Sequence, residues 1–404
     1  MKDKKRREGI TLFPGMAGVT REIIAGMKSE GVELFSVDIM VTQKCNFKCA
    51  YCYAEGAPEK KNQLSMEESK RIVRDCLDLG VRVLNMQGGE PFIWNPPDWT
   101  GKPGEALFHL MGYIKGLFEE HGKPVNIVSF TDVAVMTKSM ARKAADLQIS
   151  LCCKLDSLEG KVQDELLGTP GGFKKMMEGF QYLMDVGYGK SDMPPLSTNT
   201  VVTTLNYVGV PDVFRWSRSH GFKPFVIPVH VHGRAKLFSD IMLSGKMSGS
   251  TLKPKDIQML FEKLAEIDGK EFDIHWMPQS PWVENKACSR HLGGIHIRAD
   301  GIILPCSEAP DHWALGDIRK DSLKNIIKSE KVKRFRDIYS QLHEDSKCST
   351  KNCRLSREGK CYGCRTRAYD DSAFDKNGFY DMRRLDPDAF FAGDPACWRG
   401  QEAR

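Results

Sequence analysis

From about residue 34 to residue 270, short apolar runs alternate with amphipathic stretches. Residues 34–41 read as a strand. Residues 65–79 read as a helix: Ser65 caps it, Glu68 completes a capping box, and Ile72, Val73, Cys76 and Leu77 line one face. Residues 81–86, 125–130 and 149–155 are the next strands, with a helix over 106–119. Phe173, Met176, Met177, Phe180, Leu183 and Met184 recur at three-and-four spacing before Gly187, which can end a helix. Those methionines belong to the core. Residues 196–205 and 225–231 supply strands five and six, and Pro254 opens a helix carrying Ile257, Leu260, Phe261, Leu264 and Ile267.

Repeated strand–helix units imply a parallel sheet with right-handed crossovers. Six of them suit an α/β fold, a partial (β/α)6 TIM-like barrel, whose site lies at the C-terminal ends of the strands. After Trp276 the texture changes: Pro278 and Pro281 appear, periodicity weakens, cysteines become dense, and one helix is expected over 321–339. Such a region is short of apolar core and relies on metal to fold. The chain therefore divides into an N-terminal extension over 1–33, a barrel over 34–272 and a cysteine-rich auxiliary domain over 273–404.

Composition narrows the class. The 404 residues are 41% hydrophobic, and no stretch approaches the roughly 18 apolar residues of a membrane helix. The charged start, Met1 to Glu8, is followed by no apolar segment, so it reads as a solvated tail of a cytoplasmic protein and not as a secretion signal. A formal charge of +6, with basic residues scattered among acidic ones, gives nucleic-acid binding no support. Thirteen cysteines without a secretion signal point to metal ligation before disulfides. Cys76, Cys152 and Cys153 fall on a helix face and a strand, where they act as small hydrophobes; a catalytic thiol at Cys152 or Cys153 is the alternative.

Cys45-Asn-Phe-Lys-Cys49-Ala-Tyr-Cys52 follows the first strand. Thiolates spaced by three and then two residues can converge on a cubane, and three ligands for four irons leave one iron open. A zinc site would want a fourth ligand nearby. The spacing, Tyr51 before the last cysteine and the place after strand one resemble the radical SAM superfamily. Gln87-Gly88-Gly89-Glu90-Pro91, after strand two, looks like that family's GGEP element. The resemblance implies a [4Fe-4S] cluster whose open iron chelates S-adenosylmethionine. One electron, from an external flavodoxin- or ferredoxin-like reductant, then breaks a carbon–sulfur bond, and a 5′-deoxyadenosyl radical takes hydrogen from substrate. Gly88 and Gly89 would let the backbone approach this ligand, and Pro91 completes the element as a further cofactor-binding candidate. Glu90 would accept a bond from its ammonium, and Tyr51 would lie near the adenine. Lys154-Leu-Asp156-Ser stands where similar proteins carry Ser-Leu-Asp-Gly, which makes Asp156 a ribose or substrate contact or a helix cap. Asn199 is a further ribose candidate, or a buried polar strand residue. The family's Thr-Asn-Gly after strand three is replaced by Thr131-Asp132-Val133.

Cys288, Cys306, Cys348, Cys353, Cys361, Cys364 and Cys397 follow. With Gly233-Arg234-Ala235, Leu315-Gly316-Asp317-Ile318, Cys361-Tyr-Gly-Cys364-Arg365 and Asp394-Pro395-Ala396-Cys397, they resemble the SPASM extension with two auxiliary four-iron clusters. The family's order implies Cys288, Cys306 and Cys364 on the first, with His291 a candidate for its open iron, and Cys348, Cys353, Cys361 and Cys397 on the second. Four residues between Cys348 and Cys353 and seven before Cys361 depart from the commonest spacing. A single zinc knuckle of Cys348, Cys353, Cys361 and Cys364 is the competing reading.

The expected activity is oxidative modification of a peptide or protein side chain. The alternatives are oxidation or decarboxylation of a small molecule, a tetrapyrrole or sugar alcohol, and a non-enzymatic iron–sulfur carrier or zinc-stabilised binding module. About 33 residues before the first strand are too few for an added leader-peptide-binding domain. Asp132, Asp156, His230 and Glu308 are the candidates for removing a substrate proton.

Overall fold

The computed structural model describes residues 26–230, 232–238, 252–276, 290–345, 363–372 and 397. Within them one nine-stranded sheet has the order β6-β5-β4-β3-β2-β1-β7-β8-β9. Six parallel strands follow the chain: β1 (Ser36–Thr42), β2 (Val83–Gly88), β3 (Asn126–Thr131), β4 (Ser150–Lys154), β5 (Leu196–Val202) and β6 (Lys223–Pro228). This is the expected parallel order of a partial barrel. The C-terminal segment adds β7 (Gly294–Ile297), parallel to β1, then β8 (Ile302–Leu304) and β9 (Gly316–Asp317), both antiparallel. The cysteine-rich part is thus hydrogen-bonded into the barrel sheet at its β1 edge.

Helix α1 (Met66–Asp78) begins with the expected capping box, Ser65 accepting from Glu68 N and Glu68 from Ser65 N. Then come α2 (Ala106–Glu120), α3 (Lys138–Asp146), α4 (Gly160–Leu167), α5 (Gly172–Asp185), α6 (Val210–Ser219) and α7 (Pro254–Glu271). The apolar periodicity singled out neither α3, α4 nor α6. They are short, and α3 buries only alanines, Ala141, Ala144 and Ala145. The helix expected over 321–339 is two, α8 (Leu323–Lys328) and α9 (Glu330–Asp345), broken at Ser329 with φ −68° and ψ 152°. The last helix is α10 (Arg365–Asp371).

Alternation along each strand sorts two faces. Val37, Ile39, Val41, Leu84, Met86 and Ile127 join the helices in the main core. The opposite face carries polar groups between apolar ones. Asp38 stands in register with Asn85 on one side and His296 on the other. Asn85 Nδ2 donates to Asp38 Oδ1 at 2.7 Å, and Tyr53 lies edge-on to His296 while its hydroxyl donates to Gln87 at 2.9 Å. Both strand faces are covered, so β1 is buried along its whole length.

Candidate active site

The loop carrying Cys45, Cys49 and Cys52 leaves β1 and is fixed by backbone bonds on several sides. Cys45 N donates to Ala57 O at 3.1 Å. Lys48 N and Ala50 N donate to Leu167 O and Leu166 O, carbonyls of the last turn of α4 that have no helical partner. From β2, Gly89 N reaches Thr42 O at 2.7 Å and Glu90 N reaches Lys44 O at 2.9 Å. A Cβ on Gly89 would fall 2.3 Å from Lys44 O. The Gly-Gly turn, expected to admit a ligand, here lets β2 close onto the cysteine loop itself.

The donor set suits iron–sulfur ligation. Two of the three sulfurs already face backbone N–H groups, Phe47 N on Cys45 Sγ and Gly56 N on Cys52 Sγ, each at 3.4 Å. Such donors stabilise a thiolate. Burial pushes all three thiols up, Cys49 to about 12, with Lys154 pulling Cys49 back and Arg234 pulling Cys52 back. Iron would take those protons' place. No group of three or more described His, Cys, Asp or Glu residues is placed to hold a single metal ion. Three thiols on one short loop, two of them facing backbone N–H donors, fit the three protein ligands of a four-iron cluster with one open iron.

Glu90 is fully buried. Its Oε1 accepts from Phe92 N at 2.9 Å, and its Oε2 accepts from the Thr131 hydroxyl and Asp132 N at 2.9 and 2.7 Å. These bonds tie the end of β2 to the turn after β3. Burial, then the neighbouring Asp132 carboxylate, hold Glu90 well above the usual range, and burial lifts Asp132 to about 6. Asp132 lies 3.9 Å from Cys45 Sγ. Val133, where similar proteins have glycine, adopts φ +65°.

Tyr51 donates its hydroxyl to Asp156, and Lys154 sits 3.0 Å from the same carboxylate and 4.2 Å from the Tyr51 ring centre. Asp156 Oδ1 also accepts from Val201 N at 2.9 Å. Asp156 is therefore committed to bracing β4 against β5 and the cysteine loop. Asn199 stands in register with Lys154, and its buried Oδ1 has no hydrogen-bond partner among the described residues. A donor from a bound ligand would satisfy it. Sequence reading overlooked the Asp38–Asn85–His296 row. Its signal was present as polar residues inside three mostly apolar strands, Asp38 in β1, Asn85 in β2 and His296 in β7.

Beyond β6, His230 Nδ1 lies 2.6 Å from Glu308 Oε2, on the loop after β8 that also holds Cys306. Burial alone would raise Glu308; His230, with His232 and Arg367, instead holds it down at about 2. Cys306 packs with Leu304 and Ala309, and Cys397 packs against the α6–α7 apolar cluster. Cys364 Sγ lies 3.0 Å from Thr366 Oγ1. Cys288, Cys348, Cys353, Cys361 and the His291 side chain lie outside the described residues.

Residues 39–216 match the model of the radical SAM superfamily, and residues 288–365 match that of an iron–sulfur cluster-binding domain, SPASM. Among curated proteins, a probable GTP 3′,8-cyclase of Methanococcus maripaludis is 26% identical over 68% of this chain and 86% of its own length. The antilisterial bacteriocin subtilosin biosynthesis protein AlbA of Bacillus subtilis is 25% identical over 80% of this chain and 65% of its own. The crystal structure of Streptococcus suis SuiB bound to S-adenosylmethionine superposes with a TM-score of 0.64 at 16% identity, covering 94% of this chain and 81% of that one. SuiB has also been solved with its precursor peptide SuiA.

Proposed function

Since the chain is a radical SAM enzyme with a C-terminal SPASM-type iron–sulfur domain, we propose that it oxidises a side chain of a peptide or protein, with Cys45, Cys49 and Cys52 as ligands of the S-adenosylmethionine-binding cluster. When bound, that cluster with S-adenosylmethionine supplies a 5′-deoxyadenosyl radical that takes a hydrogen atom from the substrate. This chain's residues do the rest. The Gly88–Gly89 turn and the Asn199 carbonyl, which has no hydrogen-bond partner among the described residues, would face the ligand; Tyr51, braced by Asp156 and Lys154, would wall it; Glu90 holds the turn through its three bonds.

The observation that carries oxidation is the seam between barrel and C-terminal region. After loss of a hydrogen atom, an oxidised substrate must still give up one electron and one proton. The loop after β8 brings Cys306 to the seam together with the His230–Glu308 pair. Auxiliary four-iron clusters, one on Cys288, Cys306 and Cys364 and one on Cys348, Cys353, Cys361 and Cys397, would accept the electron, and of these ligands Cys306 lies on the Glu308 loop. The names of AlbA and the SuiB–SuiA complex favour a peptide substrate. A cytoplasmic location and a flavodoxin- or ferredoxin-like reductant belong to the same proposal. No helix among the described residues is long and apolar enough to cross a membrane.

The match to GTP 3′,8-cyclases over most of their length supports a second reading, a small-molecule substrate. Anaerobic turnover with deuterated candidates decides between them. Deuterium passing into 5′-deoxyadenosine from a peptide, with a mass loss of two hydrogens, supports the first; transfer only from a small molecule overturns it.

A further inference from the structure

Resting on the reading of Cys45, Cys49 and Cys52 as the cluster loop, we infer that Arg234 is the positioning residue that keeps this loop in its ligating shape. Arg234 lies in the turn Gly233–Phe238, just past β6, and is 7% exposed. One residue serves three carbonyls of the loop: Nη1 donates to Cys49 O at 2.7 Å, Nη2 to Gly56 O at 2.9 Å, and the backbone N–H to Cys52 O at 3.0 Å. Two of the three belong to cysteines that would bind iron. A planar guanidinium can span such a spread of acceptors, and a lysine cannot.

Gly233 makes the approach possible. It sits at φ +56°, and a Cβ there would lie 2.3 Å from Tyr53 O and 2.8 Å from Cys52 O. The segment therefore rests directly on the loop backbone. A second observation points the same way. Among the described residues no carboxylate pairs with Arg234, although a buried guanidinium ordinarily needs an anion. The thiolates gathered on the loop it grips supply that charge once iron has displaced their protons.

The test uses the full chain, reconstituted anaerobically, as wild type, R234Q and R234K, each also in a C45A/C49A/C52A background. Iron and sulfide content, the EPR spectrum of the reduced protein with and without S-adenosylmethionine, and the rate of iron loss to bathophenanthroline are read. R234Q should shed the iron of the loop about tenfold faster or more, and should lose the spectral response to S-adenosylmethionine. R234K should fall between it and wild type. In the triple-alanine background neither change should alter iron loss. The inference fails if R234Q and R234K keep the loop iron at the wild-type rate, or if they lose iron equally in the triple-alanine background. If wild type and the triple-alanine variant hold the same iron, the reading of the loop itself fails.

Discussion

The two cysteine sets of this chain are organised in different ways. Cys45, Cys49 and Cys52 sit on one short loop whose ends are fixed by β1 and α1 and whose backbone is gripped by β2, the end of α4 and the turn after β6. The set from Cys288 to Cys397 runs through a region where the described strands have four residues or fewer. The first loop is held by backbone bonds from neighbouring elements. The second set is spread over segments far apart in sequence, where metal binding would be coupled to folding. Spacing alone lets the first set converge on a cubane, whereas a ligand order for the second comes only from family resemblance.

That contrast predicts its largest effect at the loop. Any one of C45A, C49A or C52A should reduce 5′-deoxyadenosine formation to background while leaving most C-terminal iron in place. C306A or C364A should remove iron too, yet leave cleavage of S-adenosylmethionine measurable. Product assays beside iron counts separate the two, and the contrast breaks if C306A silences cleavage as completely as C45A.

Iron removal should sharpen it further. Anaerobic chelation should bring in an early melting step from the C-terminal segment, while the barrel transition stays close to its holo position. A single shifted transition would mean that the sheet shared by β1 and β7 makes both regions one cooperative unit.

A smaller effect is expected at Gly89. A methyl group added there would meet Lys44 O at 2.3 Å, with no flexible side chain to absorb the clash, so G89A must move backbone. The cost should be about 1–3 kcal/mol, read by urea unfolding of the apo-protein, together with a weaker spectral response to S-adenosylmethionine. G89A with wild-type stability would show that the turn and the loop are not in contact in solution.

Much of this could be read before the structure. Alternation and the Ser65–Glu68 box located β1, α1 and β2, and hence the site at their junction. What escaped was non-local. α3, α4 and α6 have ten residues or fewer, too short for their periodicity to announce them, yet α4 supplies the carbonyls that hold Lys48 and Ala50. β7 carries His296 to β1 from more than 250 residues away, and no window on a sequence reports such pairing. Glu90 and Asp156 were named as candidate site residues, but their first partners, Thr131, Asp132, Val201 and Lys154, follow from strand order and register.

The smallest expected effect lies at Val133, which follows the Asp132 that lies 3.9 Å from Cys45 Sγ. A β-branched residue at φ +65° carries about 1–2 kcal/mol of backbone strain. Val133 nevertheless packs fully buried in the main core, which contributes about 1.5–3 kcal/mol. V133G relieves the first term and forfeits the second, with about 0.5–1 kcal/mol more from the freedom glycine adds to the unfolded chain. The relief offsets about half of the loss, leaving a net loss of about 1.5 kcal/mol. V37G, on unstrained β1 and equally buried, loses burial with no relief and should cost about 3 kcal/mol or more. Urea unfolding of the two variants side by side measures the gap. Equal losses would mean that the turn after β3 holds no strain, and that valine there is simply another core residue.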